Sequence, residues 1–258
     1  MKRIYLVRHG TPEGLLASFA GVTDLPLSEQ GKEEAARTGR WFAEQGFAGA
    51  IYSSPLSRAY DTARIIVEEI SESSCEEANI PANIPAAEKN EGNELTGQRT
   101  HDCAGRNCKA EFEIKVIDEL MECDLGILEG MTMEQVNRDH PEEAREWYSD
   151  VFNNAFPGGE SLKQSGLRFA RGIDRILEEN SDDNEDKEDN EDNDTDINNN
   201  DIIVTAHMCV IESYLVIKGL IQPSEELITN PIPCASITTL MIDGDGSLSL
   251  EYLGFTPQ

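Results

Sequence analysis

The chain has 258 residues, 38% of them hydrophobic, and a formal charge of −29 from 50 acidic against 21 basic residues. That surplus of negative charge argues against nucleic acid or an anionic membrane as a partner, because both require a cationic face. The length admits one large domain or two small ones, with enough apolar content for a real but diluted core.

Met1-Lys2-Arg3 has the charge of an export signal, but the apolar run that follows, Ile4-Tyr5-Leu6-Val7, meets Arg8 at once. No later segment reaches the roughly eighteen apolar residues of a membrane span, so a cytoplasmic protein is expected. Residues 3–8 read as a buried strand ending in Arg8-His9-Gly10. Leu27-Ser28-Glu29-Gln30-Gly31 opens a helix with Ser28 as N-cap, running to about Gln45 through Ala35, Ala36, Trp41 and Phe42. A second strand spans Ala48 to Tyr52 and ends at Ser53-Ser54-Pro55. A second helix follows from about Leu56 to Ile70, with Ala59, Ala63, Ile66 and Val67 on one stripe. The alternation predicts an α/β/α sandwich with a mostly parallel central sheet.

Residues 71–110 lose the apolar period and read as a polar insertion. Order resumes at Phe112–Asp118, with short helical patches at Thr132–Asn137 and Glu142–Val151. A longer helix spans Ser161 to about Glu179, turning Leu162, Phe169, Ile173, Ile176 and Leu177 inward. Residues 181–200 hold ten Asp/Glu and one Lys, a composition expected of a solvated acidic loop. Ile202 to Ala206 is a buried strand ending in His207. A helix from about Val210 to Leu220 and strands near Ile237–Ile242 and Leu248–Leu253 complete the chain. Both polar runs lie between regular elements, so 1–258 is read as one domain with insertions at 71–110 and 181–200.

The six cysteines do not form a disulfide framework. His101, Cys103 and Cys108 lack the second ligand pair of a zinc site, so free thiols are expected. The histidines at two strand ends carry the chemistry. Any one such histidine is usually structural, but His9 and His207 at equivalent strand ends, with Arg8 before the first, point to a ligand site at the carboxyl edge of the sheet. Arg58, at the start of the second helix, is poorly placed for the helix macrodipole unless an anion sits there.

On these residues the chain resembles the histidine phosphatase superfamily, the phosphoglycerate-mutase-like fold. The matching segments are Leu6-Val7-Arg8-His9-Gly10, Gly21-Val22-Thr23-Asp24-Leu25-Pro26-Leu27-Ser28 and Ser53-Ser54-Pro55 through Arg58-Ala59 to Thr62-Ala63. Further on come Leu120-Met121-Glu122-Cys123-Asp124-Leu125-Gly126 with Glu129-Gly130, then Pro157-Gly158-Gly159-Glu160-Ser161 and Val204-Thr205-Ala206-His207. The resemblance implies a phosphohistidine mechanism in which His9 is the nucleophile, its other ring N–H held by a backbone carbonyl. Arg8, Arg58 and His207 clamp the phosphoryl oxygens, Glu122 serves the leaving alcohol and then water, and Glu160-Ser161 support the pocket. It implies a small phosphorylated substrate, no cofactor and no metal; oligomeric state stays open.

Three positions depart from the family pattern: Leu15 replaces a frequent asparagine, Met208 a glycine and Glu212 a basic residue. Cofactor-dependent mutases surround the acid with cations for a second phosphate, whereas here it is flanked by Met121, Cys123, Asp124 and Leu125. A phosphatase is therefore expected ahead of a mutase or an inert phospho-ligand-binding member. The Thr11-Pro12-Glu13 start resembles, more loosely, phosphatases of the α-ribazole-phosphate type from cobalamin assembly.

Overall fold

The computed structural model describes residues 2–14, 19–77, 112–181, 200–223 and 231–258. In chain order the elements are β1 (Lys2–Arg8), α1 (Glu29–Glu44), β2 (Ala50–Ser53), α2 (Ser57–Glu77) and β3 (Ile114–Val116). After them come α3 (Met133–Asp139), α4 (Pro141–Ser149), α5 (Leu162–Glu179), β4 (Ile202–Ala206), α6 (Met208–Ile217), β5 (Ile237–Ile242) and β6 (Leu248–Phe255). Two 3-10 turns, Asp118–Leu120 and Gly126–Leu128, frame the segment that carries Glu122.

The six strands form one sheet in the order β3-β2-β4-β1-β5-β6. Pairing is parallel for β3-β2, β2-β4 and β4-β1, and antiparallel for β1-β5 and β5-β6. The period of two along β1 sends alternate side chains to opposite faces. Ile4 and Leu6 pack with Tyr52, Ile202 and Val204 against Phe169, Ile173 and Ile176 of α5 and Ile211 and Tyr214 of α6. Tyr5 and Val7 pack with Ile51 and Ile203 against Phe42 of α1 and Ala63, Ile66 and Ile70 of α2. A sheet covered on both faces has near-continuous apolar strands, which is why β1 and β4 are legible as runs. The expected three-layer fold is what is observed.

The caps follow local chemistry. Ser28 Oγ accepts the Gly31 N–H, and Thr132 and Ser161 each close a reciprocal capping box, with Gln135 and Gln164 respectively. Several boundaries differ from expectation. α2 continues to Glu77, so residues 71–77 belong to a helix and not to the polar insertion. β2 lies at Ala50–Ser53, β6 extends to Phe255, and α6 begins at Met208, directly after its N-cap His207. Residues 78–111, which hold His101, Cys103 and Cys108, and residues 182–199 of the acidic run lie outside the described residues, as does Leu15. Cys123, Cys209 and Cys234 are free thiols.

One close approach fixes the entrance to the site. A Cβ on Gly10 would lie 2.3 Å from the Gly31 carbonyl oxygen, and a Cβ on Gly31 would lie 2.1 Å from that of Thr11. The chain leaving β1 therefore crosses the first turn of α1 in backbone-to-backbone contact. Alanine favours a helix over glycine by about 1 kcal/mol. Here Gly31→Ala should nonetheless destabilise, by about 1–3 kcal/mol, because a backbone cannot yield as a side chain can. Urea unfolding checks the sign.

Candidate active site

β1 and β4 pair in parallel with Arg8 opposite Ala206, and the ladder continues one step as His9 N–H donates to the Ala206 carbonyl at 3.0 Å. The residues immediately beyond, His9 and His207, thus emerge side by side at the carboxyl edge, ring centroids 5.1 Å apart. His9 is also held from the other side, its carbonyl accepting the Ala235 N–H at 3.1 Å. Ala235 provides that donor from a left-handed conformation, φ 52°, a strained geometry for a residue with a Cβ.

His9 is buried, and its Nδ1 lies 2.7 Å from the Gly10 carbonyl oxygen. A carbonyl only accepts, so Nδ1 carries the proton and Nε2 presents a lone pair. Arg58 Nε donates to that Nε2 at 3.2 Å. Burial, then the adjacent Arg58 guanidinium, hold the imidazole well below its ordinary pKa, so it is neutral near pH 7.

Arg58 is itself only 2% exposed. Nη1 and Nη2 donate to the carbonyls of Thr23 at 2.8 Å and Gly21 at 2.6 Å. This explains the Gly21-to-Asp24 motif. Asp24 accepts from the Ser57 N–H and hydroxyl, 2.7 and 2.6 Å, and so caps α2 beside the arginine. Glu129 accepts the backbone N–H groups of Val22, Thr23 and Leu125 and fixes the loop to the Glu122 segment. Thr62 Oγ1 accepts from Gly10 N–H and donates to the Arg58 carbonyl, which links the nucleophile loop to α2.

Arg8 donates through Nη1 to the Ile232 carbonyl, and its buried Nε has no partner among the described residues. His207, fully buried, has Nε2 2.8 Å from Ser54 Oγ, while its Nδ1 is likewise without a partner. When Ser54 donates to Nε2, the ring proton sits on Nδ1 as a donor. Burial and then the neighbouring His9 push the His207 pKa well down. Two orphaned buried nitrogens at one sheet edge, beside a second guanidinium and the N-terminus of α6, suit an oxyanion.

Glu122 is 6% exposed. Its Oε1 accepts the Cys123 N–H at 2.8 Å and its Oε2 the Cys209 N–H at 3.2 Å. Burial raises its pKa above the ordinary carboxyl range, opposed by those two N–H groups and by Arg58 and Arg8. A cleft of about 670 Å³ lies beside it, lined by Asp118, Glu119, Asp124 and Glu160 and by Arg168, Arg171 and Arg175 of α5.

A model of the histidine phosphatase superfamily (branch 1) matches residues 4–79 and 96–253. The chain belongs to the histidine phosphatase superfamily. Among curated proteins it is similar to the bifunctional protein Rv2228c of Mycobacterium tuberculosis, 28% identical over 176 residues that make up 68% of this chain and 37% of that one. It is also similar to phosphoserine phosphatase 1 of Hydrogenobacter thermophilus, 29% identical over 163 residues, 63% of this chain and 58% of the relative. The chain thus spans between about a third and three fifths of these relatives' length. Among solved structures, a mycobacterial glucosyl-3-phosphoglycerate phosphatase in complex with VO3 superposes with a TM-score of 0.67 at 20% identity, covering all of both chains. A candidate α-ribazole-5′-P phosphatase of Escherichia coli superposes at 0.64 and 19% identity, covering 98% of this chain and 95% of that one. At these identities the superpositions establish the shared fold.

Within this histidine phosphatase fold, Arg8, His9, Arg58 and His207 all come to the carboxyl edge of the sheet, and Glu122 reaches the same corner through the Cys209 N–H of α6. Arg168 was not singled out from the sequence. Its guanidinium bonds the carbonyls of Glu119, Met121 and Glu122 at 2.9, 2.8 and 3.0 Å and pairs with Glu160 at 2.7 Å. It therefore fixes the backbone of the acid-bearing segment. The available signal was Glu160 lying just ahead of the N-cap of α5, eight positions before Arg168 on that helix. Ser54, which orients His207, was quoted only as part of a motif.

Both imidazoles should remain neutral through pH 6.5, where a free histidine is about half protonated. Side-chain ¹H–¹⁵N spectra should show His9 as the Nδ1–H tautomer, and neither His9 nor His207 should titrate between about pH 7 and pH 6.

Proposed function

We propose that the chain is a phosphomonoesterase working through a phosphohistidine. The observation that carries the reading is the His9 ring: Nδ1–H fixed on a carbonyl and Nε2 left as a buried lone pair facing the Arg58 guanidinium. In the proposed reaction Nε2 attacks phosphorus in line and the P–N bond forms as the ester P–O bond breaks. The proton of Glu122 passes to the leaving alkoxide. Water then attacks phosphorus, giving its proton to Glu122; the P–N bond breaks and inorganic phosphate departs. Arg8, Arg58 and His207 stabilise the equatorial oxygens, which is where most of the acceleration in phosphoryl transfer arises. No step needs a metal or organic cofactor. The reading takes 1–258 as one domain bearing two insertions, in the cytoplasm.

The cleft beside Glu122 favours a monoester over a bisphosphorylated ligand. Asp118, Glu119, Glu122, Asp124 and Glu160 outnumber Arg168, Arg171 and Arg175, and Arg168 and Arg175 are committed to ion pairs with Glu160 and Glu119. A second phosphate there would be poorly neutralised. Within this class α-ribazole phosphate is one substrate to test, alongside phosphoserine and 3-phosphoglycerate.

A phosphate-release assay on such a panel tests the proposal. His9→Ala should abolish turnover; turnover unaffected by it would sink the mechanism. Glu122→Gln should slow alkyl esters by about 10²–10⁴-fold, the usual worth of a general acid, and p-nitrophenyl phosphate far less, since that leaving group needs no proton. Activity should survive EDTA. Isomerisation of 3-phosphoglycerate that depends on its bisphosphate would instead mark a mutase.

A further inference from the structure

Glu212 is a carboxyl that the mechanism does not use, and it is 5% exposed. It lies on the second turn of α6, and its Oε1 accepts the backbone N–H of Ile232 at 2.9 Å. The carbonyl of that same residue receives Arg8 Nη1. Glu212 and Arg8 are therefore joined through one residue's backbone. The charged groups that face Glu212 among the described residues are Arg8 on β1 and Glu122. The Cys209 thiol, one turn back on α6, also faces it and is kept protonated by burial.

We infer that Glu212 is a positioning residue that sets the charge of the oxyanion pocket. Ionised, it offsets Arg8 and steadies its Ile232 anchor; protonated, it leaves Arg8 uncompensated, so oxyanions bind more tightly as pH falls. Burial pushes its carboxyl up to about 7, with the Ile232 N–H and Arg8 opposing and Glu122 assisting, so the change falls in the neutral range. The sign follows from linkage: an anion prefers the state with one fewer negative charge near Arg8, and by reciprocity a bound anion must raise the Glu212 pKa.

This rests on reading Arg8, His9 and Arg58 as an oxyanion pocket. The test is calorimetric binding of sulfate, whose own charge is constant from about pH 6 to about pH 8.5, to wild type, Glu212→Gln and Glu212→Met. Wild type should lose affinity as pH rises, several-fold more steeply than either variant, and the proteins should converge near pH 6. The glutamine retains the acceptor for Ile232, so it separates charge from anchoring. Parallel curves, uniform weakening in both variants, or no sulfate binding at all would overturn the inference. Should neither variant fold, ¹³C titration of the wild-type Glu212 carboxyl with and without sulfate decides it: a raised pKa supports it, an unmoved one overturns it. Absence of ester hydrolysis by wild type would defeat the phosphatase reading alone, since sulfate binding still reports on Glu212.

Discussion

The parallel register between β1 and β4 is the constraint on which the site depends. Arg8 stands opposite Ala206, and the Ala206 carbonyl receives the His9 N–H, so the residue after each strand lands at the same edge and height. A slip of one residue would turn one histidine to the other face of the sheet. On the far side of β4, β2 pairs in the same sense, Ser53 opposite Thr205, and delivers Ser54 to His207 and the first turn of α2, with Arg58, to His9. Three adjacent parallel strands thus fill one corner with an imidazole pair, a hydroxyl and a guanidinium. This is where open α/β sheets place ligands.

That corner is locally cationic in a protein of formal charge −29. The two facts are compatible because their ranges differ. At physiological ionic strength exposed charges are screened beyond roughly 8 Å. Arg58, buried to 2% exposure, and the buried Nε of Arg8 act at contact distance with little solvent between. The same burial keeps His9 and His207 neutral, so the positive charge resides in guanidinium groups whose protonation does not vary, while Nε2 of His9 stays available.

Much of this was legible in the sequence. His9 and His207 lie at the ends of strand-like apolar runs and Arg58 at a helix start, and these are the positions where residue type and location can be read together. The N-cap Ser28 was legible as a serine at a helix start, whereas Ser161, read as the first residue of its helix, proves to be its N-cap. What escaped the sequence acts across long separations. Arg168 works through carbonyls 46 to 49 positions earlier in the chain, and no local pattern announces a carbonyl as a partner. Glu212 reads as the loss of a basic residue until the fold brings Ile232 against it, 20 positions later. The end of α2 escaped because the apolar period stops near Ile70, whereas the helix runs on to Glu77.

α6 also ties the acid to the histidines. The N–H groups of a first helical turn have no intrahelical partners. His207 occupies the N-cap, and the Cys209 N–H is taken by Oε2 of Glu122. A carboxylate at that place gains from the helix dipole, which favours ionisation, whereas its burial favours the proton. A group that must give a proton in one half-reaction and take one in the next is best held between such opposing influences. Anchoring it to the helix that starts at His207 keeps donor and phosphate site in fixed relation. Arg168 secures the rest of the segment by its carbonyls and not by the Glu122 carboxyl group, since a direct ion pair to Glu122 would lower its pKa and remove the proton that the leaving group requires.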